Sequence, residues 1–328
     1  MKTRRLKIGQ LLGSIFTVLV AVSVLLAYVL FAPQVNERLD LHKGAVLTFL
    51  QKDAIDGVHE DELTSIVRYR VNEQGELGEI MYGEPHSHPA IQADKELHID
   101  LWERFTKLTP VLDLNLIHVY ELATDGPDGT VAQVLQSTEE IDAWIFAIDP
   151  LDVFDSSGNV LKEEFALTLA HEFAHLLTVS EGQIEYSEEV FDTYWQSAYE
   201  KAMEQARSEC EQYFLHEGCS TSASYLNLFV ESFWSQDMLA QFERVSQIED
   251  VQLQDEALLA FYDQYYWEFL NDYAATHPEE DFAESFAQFL LIDVDAGDSV
   301  YLQKIRFFEQ FPELVEMRMA VREAYANF

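Results

Sequence analysis

Basic residues are scarce in this chain: 20 Lys and Arg stand against 59 Asp and Glu, for a formal charge of -39 over 328 residues. Such a negative field repels phosphate backbones and anionic headgroups, which argues against nucleic acid as a partner. Its plain physical meaning is a well-solvated surface. Cysteine is nearly missing as well. Cys210 and Cys219 are the only two, so neither a disulfide-dense scaffold nor a four-cysteine zinc knuckle can be built. A pair that close outside the reducing cytosol predicts one local disulfide. Repeats and low-complexity stretches are absent, and charged residues make up only 24% against 48% hydrophobic. Disorder as the main state is thereby excluded, and there is enough apolar material for one large core or two smaller ones.

Charge is absent altogether between Leu11 and Ala32. A run of about twenty-two uncharged residues is long enough, at helical rise, to cross a bilayer core. Lys2, Arg4, Arg5 and Lys7 precede it and the acidic bulk follows, which predicts a cytoplasmic N-terminus over 1–10, a transmembrane helix over 11–32 and an extracytoplasmic body over 33–328. A cleaved secretory signal is the competing reading. Tyr28-Val29-Leu30-Phe31 carry the apolar character to the end of the run, where a small-x-small cleavage site would be expected.

The body reads as α+β. Residues 36–52 and 92–107 have helical apolar spacing. Leu114–Tyr120, Thr130–Leu135 and Ala143–Ile148 are short β-branched or aromatic runs, and Asp125-Gly126-Pro127-Asp128-Gly129 between the first two predicts a hairpin in a small, mainly antiparallel sheet. Ala143–Ile148 is either an edge on which an extended peptide could pair or an internal core strand. Beyond Val160 the texture turns helical, with helices expected over 163–178, 187–206, 222–246, 255–275, 279–292 and 311–326. This divides the body into an α/β lobe, 33–160, and a helical lobe, 161–328, with an insert at about 180–260.

On the first of those helices the sequence reads His171-Glu172-Phe173-Ala174-His175. Imidazoles four residues apart leave one face of a helix and can reach one ion without straining the backbone. Glu172, about 100° further round, flanks the open coordination position, where a carboxylate can take a proton from water and return it to a leaving amine. Ten histidines make a chance occurrence of this motif conceivable, so a third ligand is needed. About 105 residues on, Pro278-Glu279-Glu280-Asp281-Phe282-Ala283-Glu284 opens an acid-rich helix. Glu280 and Glu284 share one face there, suited to a metal ligand and to a carboxylate that bonds a ligating imidazole. Glu279 and Glu284 are the alternative ligands.

These residues resemble the gluzincin-type zincin metallopeptidases, in which H-E-x-x-H is completed by a downstream E-x-x-x-[DE]. The local texture is similar to the lethal-factor catalytic domain, whose pattern runs H-E-F-G-H, then Y, seven residues on E, then F-F-A-E-A-F. Here it runs H-E-F-A-H, Tyr273, Glu280, then Asp281-Phe282-Ala283-Glu284-Ser285-Phe286. The resemblance covers the active helix and 273–290, about a tenth of the chain. It implies Zn2+ on His171, His175 and Glu280, Glu172 as general base and acid, Glu284 orienting an imidazole, and Tyr273 donating to the developing oxyanion. The implied protein is a membrane-anchored zinc metallopeptidase acting on extracytoplasmic proteins or peptides. A catalytically inactive zincin-fold binding or sensory domain, and a zinc-dependent hydrolase of other amides, are the alternatives.

Three further features read as structural. His86-Ser87-His88 sits in a loop without adjacent ligand partners. Asp152–Glu164 suggests a calcium loop, but Val153 occupies its first-ligand position. The aromatics of 225–267 read as core packing.

Overall fold

A five-stranded sheet and the helices packed on it frame the body. The computed structural model describes residues 64–81, 88–110, 114–127, 129–194, 196–294 and 297–328. All lie in the unit Thr48–Phe328. The expected anchor 11–32, the helix 36–52 and the pair His86-Ser87 fall outside them. Among the described residues no helix is long and apolar enough to cross a membrane.

The strands are β1 (Thr64–Val71), β2 (Leu77–Met81), β3 (Ile117–Thr124), β4 (Ala132–Gln136) and β5 (Trp144–Ile148). Their order is β2-β1-β3-β5-β4. Every pairing is antiparallel except β3 with β5. The sheet is thus mainly antiparallel, but β3 and β4 do not form the expected hairpin. β5 lies between them, parallel to β3 in the register Tyr120 to Phe146. The reason is burial. Trp144, Phe146, Ala147 and Ile148 are all buried, so β5 belongs in the interior, whereas β4 exposes Leu135 and takes the edge. Ala143–Ile148 is therefore the core strand, and β4 is the edge next to it.

Two short helices precede β3: α1 (Pro89–Ala93) and α2 (Lys95–Leu108), the second capped by the Asp94 carboxylate, which accepts from Leu97 N. α2 lays Trp102 and Phe105 on the sheet. Phe105 stacks on Phe146 at 3.9 Å between centroids and Trp102 meets Tyr120 at 5.0 Å. Aromatic burial of this kind dominates core energetics.

The chain then becomes helical: α3 (Lys162–Thr178), α4 (Glu188–Thr193), α5 (Tyr199–Glu209), α6 (Tyr225–Phe233), α7 (Gln236–Ser246), α8 (Val251–Gln264), α9 (Pro278–Leu291), α10 (Val300–Phe307) and α11 (Pro312–Ala326). Several expected long helices are broken, and the breaks have local causes. Within 222–246 the chain stops at Trp234 and restarts because the Ser235 side chain accepts from Met238 N, an N-cap inside an otherwise helical apolar pattern. Of 255–275, only the part before Tyr265 is α-helical, followed by a single 3-10 turn at Tyr273–Ala275. The insert also holds a three-stranded sheet that helical spacing did not suggest: β6 (Ile184–Tyr186), β7 (Phe214–Leu215) and β8 (Gly218–Ser220), in the order β6-β8-β7. A disulfide joins Cys210, just after α5, to Cys219 in β8.

α3 and α9 are packed together through apolar rings, with Phe173 edge-on to Phe286 and the α9 row Phe282–Phe286–Phe289 buried beneath. A buried ion pair anchors α9 from its other side: Lys304 Nζ lies 2.6 Å from Asp281 Oδ2, both side chains are fully buried, and Trp234 Nε1 donates to the same oxygen at 2.9 Å. Removing one partner strands the other charge. Lys304→Met is expected to destabilise the fold by about 3–5 kcal/mol, measured as a fall in urea midpoint. The double variant Lys304→Met/Asp281→Leu should recover most of that loss.

Candidate metal centre

α3 and α9 bring the three expected ligands to one point. His171 and His175 project from one face of α3, their Nε2 atoms 3.0 Å apart. α9 opens at His277, whose Nδ1 accepts from Glu279 N at 3.3 Å, and Pro278 occupies the first turn. Proline suits that position because the helix needs no N–H there. The ring of His277 can accept because burial, foremost, pushes its pKa down to about 4 and keeps it neutral. One turn in, Glu280 Oε2 lies 3.0 Å from His171 Nε2 and 3.5 Å from His175 Nε2.

These three atoms form a nearly equilateral triangle. Tetrahedral ligands at 2.0–2.1 Å from a metal stand about 3.3 Å apart, so the triangle has the size of one face of such a site. Two further observations fit an ion. Glu280 Oε2 is buried and makes no hydrogen bond of acceptable geometry, an arrangement that is costly unless a cation is present. His171 Nδ1 is 2.9 Å from Glu284 Oε1, which assigns the proton to Nδ1 and turns the Nε2 lone pair to the centre. The buried group His171, His175 and Glu280 can therefore hold a metal ion.

Electrostatics without an ion agree. Burial works to lower the pKa of His171, but Glu280 and Glu284 outweigh it and hold the ring well above its ordinary value; His175 is raised by Glu280 in the same way. Burial in turn works to raise Glu280, and His175 and His171 hold it well below the carboxylate range. A metal must displace protons from rings whose pKa values are raised, so affinity should increase with pH through neutrality. One displaced proton corresponds to about 100-fold tighter binding at pH 8 than at pH 6, read by competition with a chromophoric chelator.

The alternative ligands sit elsewhere. Glu284 bonds the outer nitrogen of His171, and its other oxygen accepts from Asn271 Nδ2 at 2.6 Å. Asn271 in turn accepts from Ala274 N. The relay Asn271–Glu284–His171 adds a residue that motif spacing did not single out; its position two residues before Tyr273 was the available signal. Glu279 faces Tyr213, whose hydroxyl donates to it at 3.5 Å, and burial, then Glu217, pushes its carboxyl up to about 8. Glu284→Gln should weaken metal binding about 10–100-fold with the fold intact, as judged by metal titration beside a circular dichroism spectrum.

A cleft of about 190 Å³ opens over the triangle, bordered by Glu172 and Tyr273 as well as the three ligands. Glu172 is buried on α3. The Tyr273 ring lies 5.8 Å from that of His171. One wall is the edge strand β4, through Ala132 to Leu135, and another comes from the disulfide-bearing insert, through Leu215 and Glu217. Neither wall follows from the sequence pattern: the turn signal places β4 in a hairpin with β3, and no motif in the insert ties it to the cleft. No family model, curated protein or solved structure matches the chain.

Proposed function

We propose that this chain is a zinc metallopeptidase of the gluzincin type, tethered by residues 11–32 and hydrolysing extracytoplasmic proteins or peptides. The observation that carries the reading is the convergence of His171, His175 and Glu280 at the floor of a cleft that Glu172 and Tyr273 also border. Two imidazoles and one carboxylate suit zinc, and three protein ligands leave a position open, as hydrolytic sites require. Bound there, zinc would polarise a scissile carbonyl and acidify water.

The remaining work falls to the chain. Glu172 takes the proton of the attacking water and passes it to the leaving amine. Tyr273 donates a hydrogen bond to the carbonyl oxygen as negative charge builds on it. Glu284, steadied by Asn271, keeps the His171 proton on Nδ1. β4, whose outer side pairs with no described strand, offers backbone groups to an extended peptide. Walls on two sides limit water around the reacting bond.

The test is cleavage of a mixed peptide library by the full-length chain, analysed by mass spectrometry with zinc, after chelation and after zinc is restored. Cleavage lost on chelation and regained on restoration supports the reading. A zinc-loaded, folded chain that cuts nothing favours the non-catalytic binding domain.

A further inference from the structure

The turn after β3 and the loop after β5 hold a second group of acids, away from the triangle. β3 and β5 run parallel, so Asp125 and Asp149 leave the sheet at the same end, and Asp152 lies three residues further on. Each of these aspartates brings a carboxylate oxygen to within 4.8 Å of the other two. An acidic cluster alone is no site, since exposed carboxylates repel one another harmlessly in water.

The independent observation is Asp149. Its side chain is fully buried, and although Oδ1 accepts from Leu151 N at 2.7 Å, Oδ2 is shut off from solvent and meets no donor at hydrogen-bonding geometry. Burial, foremost, pushes the Asp149 carboxyl up to about 7 against the hydrogen bonds from Thr124 and Leu151 that lower it, while Oδ2 itself has no partner. A buried carboxylate beside two more is costly to keep ionised unless a cation sits between them. The outer two are also held in place. Gly129 N donates to Asp152 Oδ2 at 2.8 Å and Thr130 N to Asp125 Oδ2 at 3.2 Å. A Cβ at Gly129 would stand 2.0 Å from Asp125 Oδ1, so only glycine lets that carboxylate come so near.

We propose that Asp125, Asp149 and Asp152 form a calcium site that ties the turn after β3 to the loop leading into α3. Oxygen ligands alone select a hard cation, and the spread of the three oxygens matches calcium bonds of 2.3–2.6 Å, whereas magnesium demands a stricter octahedron. The site shares only Asp152 with the calcium loop suggested by Asp152–Glu164. Asp155 of that loop accepts from the backbone of Ser157 and Asn159 and closes its own turn. The new site helps fix the segment that delivers His171 and His175, but it does not depend on the peptidase reading.

The experiment is equilibrium dialysis of the full-length chain in detergent against radioactive calcium at fixed ionic strength, with thermal melts alongside. We expect one calcium per chain with a Kd of roughly 0.1–1 mM and a Tm rise of about 5 °C at saturation. Asp149→Asn and Asp125→Asn should each weaken binding at least about 10-fold and erase the Tm rise, while His171→Ala keeps both. Asp125 is exposed, so its variant decides the matter if Asp149→Asn fails to fold. No saturable binding, or equal binding by wild type and Asp125→Asn, overturns the proposal and assigns calcium to the diffuse negative surface.

Discussion

Glu172→Gln is expected to lower peptide cleavage by about 10²–10⁴-fold while zinc content and melting temperature stay within error of wild type. The substitution keeps the size and the burial of the side chain and removes only its ability to accept a proton. Glu172 belongs to none of the three ligand positions, so the ion should be retained. Its place on α3, between the two histidines in sequence and on the border of the same cleft, is what gives it a proton-transfer role in the proposed reaction. The check is kcat on a defined peptide, with metal counted by mass spectrometry on the same sample. Unchanged cleavage would move the general base elsewhere. Loss of metal together with activity would show that Glu172 supports the site rather than the chemistry.

The second large effect is expected from Glu280→Ala. This change removes the carboxylate that lies 3.0 Å from His171 Nε2 and 3.5 Å from His175 Nε2, leaving two ligands and no anion to offset the ion's charge. Zinc affinity should drop by at least about 10³-fold, with activity following it. Without zinc, the same variant should behave differently across pH. Glu280 raises the pKa of both rings in the ion-free protein, and a raised imidazole pKa stabilises the fold below the unfolded value and loses that contribution as pH rises through the folded value. Taking Glu280 away removes this contribution, so metal-free Glu280→Ala should be less stable than metal-free wild type in mild acid. The gap should close at alkaline pH, where both rings are neutral. Urea midpoints of the chelated proteins at several pH values measure it. A gap that widens with pH would mean the rings are not paired with Glu280.

Much of the site was legible because its chemistry is local. Two imidazoles at i and i+4 share a helix face whatever surrounds them, and Glu280 with Glu284 obey the same rule on α9. That these helices meet was not written in either segment; it follows from apolar burial around Phe173 and Phe286, which spacing alone cannot pair. The sheet misled for a related reason. Gly126-Pro127 and Gly129 signal a turn, but not whether the strands on either side become neighbours, and β5 displaced β4 to the edge because its own residues are the more apolar. β1 and β2 carry no clear strand pattern because Arg68, Arg70 and Glu79 interleave with their apolar positions, and only long-range pairing of β1 with β3 makes Ile66 and Val67 core residues. For Asn271 the sequence offers only its place two residues before Tyr273, which does not tell an amide that steadies a carboxylate from one that faces water.

One ion held by two imidazoles and one carboxylate from α3 and α9 has a characteristic ligand shell. X-ray absorption at the zinc edge on the purified full-length chain tests it most directly. Two imidazole nitrogens at 2.0–2.1 Å and a carboxylate oxygen at 2.0–2.2 Å are expected, with the oxygen contribution reduced in Glu280→Ala. A shell containing sulfur or a single imidazole, or a spectrum unchanged by Glu280→Ala, would contradict it.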